Sequence, residues 1–387
     1  AGFRANGVKN KLASKRSSKS DRMLFQLVNR AMVTCLAKPQ SNVMVSLFTP
    51  CEMLHLQGLH PYSCEGFSSY LSGAMAEQPF LHQAEDTGIP NSLCSYHKVF
   101  IGAAQMGLMP KPRFILSTSL ACDANTLTFR HLAQFYDVPH FNVDIPFESS
   151  PQAVDYVAGQ LRQMGEFLTQ QTGLPLDDGQ LARTVARSQR TMALYHRGLR
   201  LRAGRQVLSD LTSELLRTAA FHFLLGTPET EAYARQLLRE ITTAPPAQGK
   251  QLLWIHTTPY WVAPLRHLFA QSTRVQVAAC DMSYEGIVEA DPTKPYEAMA
   301  PFNGPAQRRI DRALEMAKTV GADGAVWFCH WGCKHTLGGA RLGKKALEEA
   351  GLPTLLLDGD SCDRGFGGEG QAATRMEAFL EVLEGMA

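Results

Sequence analysis

Nine cysteines carry the most telling chemistry in this chain of 387 residues. Their odd number, their wide scatter and the lack of a secretory signal argue against a disulfide framework. They point instead to metal ligation or thiol chemistry in a reducing, cytoplasmic compartment. Cys94 opens a helical segment (NSLCSYHKVFIGAA) after the turn at Pro90-Asn91, where the positive end of a helix dipole favours a thiolate. Cys122 follows a strand-like run at 113–119 by three residues, Cys280 closes another at 274–279, Cys329 closes a third at 325–329, and Cys333 lies one turn later. Cys51 and Cys64 fall in loop-rich sequence, and Cys362 follows the final strand in DGDSCD. A single cysteine is by default a small buried hydrophobe. Several at the ends of strands suggest ligation, because open parallel sheets gather ligands beyond their carboxyl edges. Zinc favours paired CxxC knuckles, and none occurs; the nearest approach is Cys329-His330-Trp331-Gly332-Cys333 with His335 beyond. Separated cysteines brought together by folding suit an iron-sulfur cluster, whose thiolate ligands need not be local.

Other groups could serve such a centre. Glu52 in TPCEML stands at a loop-to-helix junction, suited to proton transfer and equally to the first turn of a helix. His55, His60, His97, His330 and His335 are candidate proton donors or hydrogen-bond donors to sulfur, against an ordinary structural use. The acids of Asp358-Gly359-Asp360-Ser361-Cys362-Asp363 could take a hard cation, although acids after a buried strand also cap loops. Two phosphate motifs lack their context. Residues 338–344 read G-x-x-x-x-G-K, but Lys345 stands in place of the magnesium-binding hydroxyl and the segment is helical in pattern. Residues 365–370 read G-x-G-x-x-G, with no second strand or acidic ribose ligand after them; an anion site at the helix terminus remains open.

The elements that must position these groups alternate. Buried strand-like runs at 43–48, 113–119 and 141–144 are separated by an amphipathic segment at 125–136, the rhythm of a parallel sheet with helices on its faces. It restarts with strands at 252–256, 274–279, 325–329 and 354–357 and helices at 264–271, 305–319, 336–349 and 371–383. Between the halves, three long periodic stretches lie among Gly173, Pro175, Gly204 and Pro228. The expectation is an α/β protein with two doubly wound parallel-sheet domains. It has a helical lead-in at 1–40 with a basic start, a first domain at 41–150, a helical connector at 151–245 and a second domain at 246–387. A composition of 45% hydrophobic and 19% charged residues is that of an ordinary globular enzyme. A net charge of +2 argues against nucleic acid as the main partner, and no apolar run is long enough to span a bilayer.

FTPCEMLHLQGLHPYSC (48–64), LCSYHK (93–98), ACDANTLTF into VPHFNVDIP (121–146) and HWGCKHTLGGARLGKKALEEAGLPTLLLDGDSCDRGFGGEGQAATRMEAFLEVL (330–383) share an order and spacing. Together they resemble the subunits of 2-hydroxyacyl-CoA dehydratases and benzoyl-CoA reductases, in particular the D-component of 2-hydroxyglutaryl-CoA dehydratase. The resemblance implies a [4Fe-4S] cluster between the domains, held by Cys94, Cys122 and Cys333, and through the family's Pro-x-Glu it makes Glu52 the candidate catalytic base. It also implies an acyl-CoA substrate, a homologous second subunit and a separate ATP-hydrolysing iron-sulfur activator. A low-potential electron delivered to the thioester would generate a ketyl radical, chemistry that side chains cannot supply. In catalytic subunits the fourth iron is open to water or substrate; in companion subunits the cluster relays electrons. A related branch holds an [8Fe-9S] double cubane on six cysteines and reduces small molecules. Its early cysteine is Ser46 here, whereas Cys64 matches it, and Cys51, Cys329 and Cys362 could add ligands. Catalytic subunit, relay subunit and double-cubane reductase all stay open at this point.

Overall fold

A computed structural model describes residues 18–120, 122–269, 272–284, 290–301 and 306–386. The basic start of the lead-in, 1–17, lies outside them. Among the described residues, fifteen α-helices surround two four-stranded sheets. The first sheet is built from β1 (Asn42–Val45), β2 (His60–Ser63), β3 (Phe114–Thr118) and β4 (His140–Val143), in the order β2-β1-β3-β4. The second is built from β5 (Lys250–Ile255), β6 (Val275–Cys280), β7 (Gly324–His330) and β8 (Thr354–Gly359), in the order β6-β5-β7-β8. Every pairing is parallel. Central strands such as FILST and GAVWFCH are buried along their whole length, as parallel strands covered by helices on both faces must be.

The first half holds more regular structure than its sequence pattern announces. β2 contains Pro61, which cannot donate to a ladder, and it is tolerated because β2 is an edge strand. The sequence around Cys51 and Cys64, expected to be loop-rich with a helix start at Glu52, contains three helices: α2 (Glu52–Leu56), α3 (Cys64–Gly73) and α4 (Gln78–Asp86). Their extents were illegible because each is short. α5 (Ser95–Gln105) and α6 (Asp123–Tyr136) complete the first unit, with Cys94 and Cys122 as their N-cap residues. The connector holds four helices where three were expected: α7 (Pro151–Thr172), α8 (Asp178–Arg200), α9 (Leu211–Phe223) and α10 (Pro228–Thr243). The second unit adds α11 (Ala263–Phe269), α12 (Pro295–Met299), α13 (Ala306–Val320), α14 (Lys334–Glu349) and α15 (Glu369–Gly385). Residues 338–344 lie inside α14, so the G-x-x-x-x-G-K match is helix and no phosphate loop.

The lead-in helix, α1 (Lys19–Ala37), packs on α9, α10 and β2, so it braces the connector against the first sheet. Buried charge secures this junction. Glu214 receives two hydrogen bonds from Arg202, at 2.9 and 3.0 Å, and another from Arg217, and Arg202 also donates to Ala278 O on β6 at 2.7 Å. These partners hold the Glu214 carboxyl down at about 2 against the effect of burial. Removing one member of such a network strands the others without compensation. Glu214→Gln is therefore expected to cost about 3–5 kcal/mol in urea unfolding.

Asp21 sits at the edge of this network, with Oδ1 4.0 Å from Arg217 Nη2 and no hydrogen-bond partner. Burial raises its carboxyl to about 7; Arg217 opposes the shift, and Glu214, Asp210 and Glu240 add to it. The folded chain then keeps a proton that the unfolded chain loses near its ordinary value of 3.8. The stability this contributes is fully present below that value and is lost as pH rises towards about 7. Asp21→Asn should leave stability near pH 4 little changed and raise it at pH 8, flattening the slope in pH-dependent urea unfolding.

Candidate active site

The carboxyl edges of the two sheets face one another across a cavity of about 730 Å³. From the first sheet come Leu47 and Phe48 after β1, Ser63 and Glu65 at the end of β2, and Cys122 after β3. From the second come His256 after β5, Met282 after β6, and His330 and Cys333 at the end of β7. Residues of α9 and of the lead-in helix close one side, and α13 brings Arg308, Arg309 and Arg312 to the wall. Phe48 and His256 hold positive φ angles, 68° and 78°, a strained conformation for side chains of this size. Both strained residues line the cavity.

Three of the nine cysteines reach the cavity, namely Cys94, Cys122 and Cys333, and each caps the N-terminus of a helix: α5, α6 and α14. The Tyr96 N–H acts on the Cys94 sulfur, and the Asn125 and Ala124 N–H groups act on that of Cys122. Burial nonetheless dominates. It pushes the Cys94 thiol far up, helped by Cys333, Asp360 and Cys122, and the Cys122 thiol up to about 12. Cys94 and Cys122 belong to the first sheet's unit and Cys333 to the second, and the turn before Cys333 packs directly on the Cys94 backbone. The close approach depends on Gly332, where a Cβ would lie 2.3 Å from Cys94 Cα. At Gly343, similarly, a Cβ would fall 2.0 Å from the Trp327 ring, so only glycine lets α14 settle on β7 with Cys333 at its tip.

Each sulfur has a side-chain neighbour. Cys94 Sγ lies 3.2 Å from His330 Nε2, Cys122 Sγ 4.0 Å from His97 Nε2, and the Cys333 thiol donates to Thr336 Oγ1 at 3.4 Å. Burial holds His97 down at about 4 and lowers His330 as well, so both rings are neutral near pH 7. His97 Nδ1 is buried without a partner. Among the described residues no three His, Cys, Asp or Glu side chains converge tightly enough to hold a single metal ion. The acids of 358–363 are already occupied: Asp358 by Arg375, Asp360 by Ser95 and the Cys362 and Asp363 N–H groups, and Asp363 by Gln78. Soft thiols on separate helices, with hydrogen-bonding partners around them, fit a larger sulfur-ligated group.

The other candidates lie elsewhere. Cys64 is fully buried in the core of the first unit, in a cluster with Cys35, Tyr62 and Cys362, and does not line the cavity. Cys51 and Cys329 are also buried away from it, and Cys280 directs its thiol to His256 O. Ser46 accepts the Thr118 N–H at 3.1 Å, tying β1 to β3. Glu52 begins α2, but its carboxylate turns away from the cavity, accepting a hydrogen bond from Ser188 on α8 at 2.8 Å. Burial raises its carboxyl; the Ser188 hydroxyl opposes that. Two carboxyls do line the cavity: Asp210, which caps α9 by accepting the Ser213 N–H, and Glu65, one residue past Cys64. Glu65 Oε1 accepts the Leu47 N–H at 3.0 Å, its Oε2 is buried without a partner, and burial lifts it to about 7. Nothing local in the sequence marks Glu65, because it reaches the cavity only through the pairing of β2 with β1.

Two four-stranded parallel sheets with helices around them and one cavity at their carboxyl edges define a two-sheet α/β protein. The chain belongs to the family described as 2-hydroxyglutaryl-CoA dehydratase, D-component, which it matches over residues 46–383. Among curated proteins it is similar to the (R)-phenyllactyl-CoA dehydratase alpha subunit of Clostridium sporogenes. The two are 23% identical over 331 residues, covering 79% of this chain and 80% of that one. Among the described residues no helix is long and apolar enough to cross a membrane.

Gly332→Ala tests the geometry without any cofactor. The added methyl must push the Cys333 turn away from α5, at a cost of about 1–3 kcal/mol. The expected result is a lower urea midpoint and faster reaction of Cys94 with a thiol reagent than in the parent chain.

Proposed function

We propose that the chain is the cluster-bearing catalytic subunit of a radical 2-hydroxyacyl-CoA dehydratase. The observation that carries this reading is that three cysteines, each at the start of a helix, line one cavity large enough for a substrate. When bound, a four-iron cluster would supply a low-potential electron and an open iron able to polarise a thioester oxygen. Cys94, Cys122 and Cys333 would hold it. Three thiolates leave a fourth iron without a cysteine from this chain, and the substrate-sized cavity beside them favours a catalytic over a relay role. Six cysteines outside the cavity, and Ser46 committed to the backbone of β3, speak against the double-cubane reading.

The chain's own residues suggest a division of labour. Glu65 is the group for proton transfer: its free oxygen and raised pKa suit a base working near neutrality. Phe48, Leu120, Leu215 and Phe223 make the cavity wall apolar, which keeps water from a reactive intermediate. Arg308 and Arg312 bring positive charge to the wall for the phosphates of a coenzyme A thioester, whereas Arg309 is neutralised by Asp281. A partner subunit is proposed from the relative's description as an alpha subunit. A separate ATP-dependent activator is proposed as the source of electrons, since the one P-loop-like match is helix.

Anaerobic reconstitution with iron and sulfide should give about four irons per chain; about eight would favour the double cubane, and a single zinc would exclude both. Cys333→Ala should lose the cluster and its colour, and retention of both would refute the ligand assignment. Glu65→Gln should keep the cluster and lower kcat about 10²–10⁴-fold in the assembled enzyme, whereas Glu52→Gln should leave kcat close to the parent. The reverse ranking would return the proton-transfer role to Glu52.

A further inference from the structure

The donors around the sulfurs are fixed in direction by groups remote from the thiols. At His330, the Ser361 N–H donates to Nδ1 at 3.2 Å, so Nδ1 presents a lone pair. The competing arrangement, with the proton on Nδ1, would point it at Asp360 Oδ2 3.6 Å away, too far for a good hydrogen bond. Asp360 is in any case already engaged by Ser95, Cys362 N and Asp363 N. The ring proton therefore resides on Nε2, which faces Cys94 Sγ at 3.2 Å. Edge contact with Tyr96, at a centroid distance of 5.6 Å, locks the ring plane.

At Thr336, Arg309 Nη1 donates to Oγ1 at 2.7 Å, and Arg309 is itself anchored by Asp281 through Nε at 2.8 Å and Nη2 at 2.6 Å. With an Oγ1 lone pair taken by a guanidinium, the hydroxyl proton is left to point at Cys333 Sγ, 3.4 Å away, once that sulfur is a thiolate. His330 and Thr336 are each 1% exposed, so water does not compete for either donor. One of the three sulfurs thus faces a donor oriented before any ligand binds, and a second lies beside a hydroxyl that turns its proton to the sulfur when the thiol ionises.

We propose that His330 and Thr336 are positioning residues that donate hydrogen bonds to the Cys94 and Cys333 sulfurs and thereby raise the reduction potential of the cluster these thiolates would hold. The inference rests on the ligand assignment made under Proposed function. Reduction adds one electron from an external donor and makes the sulfurs richer in charge; no bond is made or broken. A hydrogen bond to a charged acceptor strengthens as that charge grows, so these donors favour the reduced state.

The test is a redox titration of the reconstituted chain with titanium(III) citrate, followed by paramagnetic resonance, on wild type, His330→Leu, Thr336→Val and Thr336→Ser. Loss of either donor should lower the one-electron reduction equilibrium constant about tenfold, a fall of about 59 mV, while Thr336→Ser should stay near wild type. Thr336→Val preserves side-chain shape and leaves Arg309 paired with Asp281, so it decides the matter if His330→Leu does not assemble. Equal potentials in wild type and Thr336→Val would overturn the proposal for Thr336 and leave the ligand assignment standing. Failure of the wild-type chain to assemble a cluster would overturn both. For His330, nitrogen NMR of the cluster-free chain should report the Nε2–H tautomer, and an Nδ1–H tautomer would overturn its part.

Discussion

The meeting of Cys94 and Cys333 across the seam between two separately folded sheets is the constraint on which everything else rests. It requires the turn after β7 to touch the first residue of α5, backbone against backbone, and the absence of a side chain at Gly332 permits it. The helical connector holds the sheets at that separation. α9 lines the cavity, and the Glu214 pair of arginines ties α9 to β6. Such a junction is strong but brittle, because a buried charge network tolerates the loss of no member.

Within the seam, burial and hydrogen bonding work in opposite directions on sulfur. Burial disfavours a bare thiolate, whereas helix N-termini, a neutral histidine and a polarised threonine favour negative charge at the same atoms. An apolar pocket for neutral thiols would need none of these donors. Their convergence, with His97 Nδ1 buried and unpaired nearby, is what the cluster proposed for this site would draw on.

The core strands were legible because parallel strands covered on both faces read as unbroken apolar runs, as in FILST and GAVWFCH. Cys94 could be placed at a helix start from the Pro90-Asn91 turn before it, and Cys122 and Cys333 from the strands that precede them. The segment 51–86 was less transparent, since α2 to α4 are short and β2 carries a proline. Glu65 and Glu52 show the limit most clearly. Both are glutamates in the first turn of a helix, and only the long-range register of β2 on β1 turns one towards the cavity while Ser188 draws the other into the core. The fixed direction of the His330 and Thr336 donors likewise depends on Ser361 and Arg309, about thirty residues away in sequence.

The central claim is that this chain alone supplies three, and only three, ligands to a cluster that opens onto the cavity. A Mössbauer spectrum of the wild-type chain reconstituted anaerobically with ⁵⁷Fe tests it most directly. The account predicts a four-iron cluster with one iron distinct from the rest, whose signal changes when an acyl-CoA is added. Four equivalent irons indifferent to the thioester, or no bound iron at all, would contradict it.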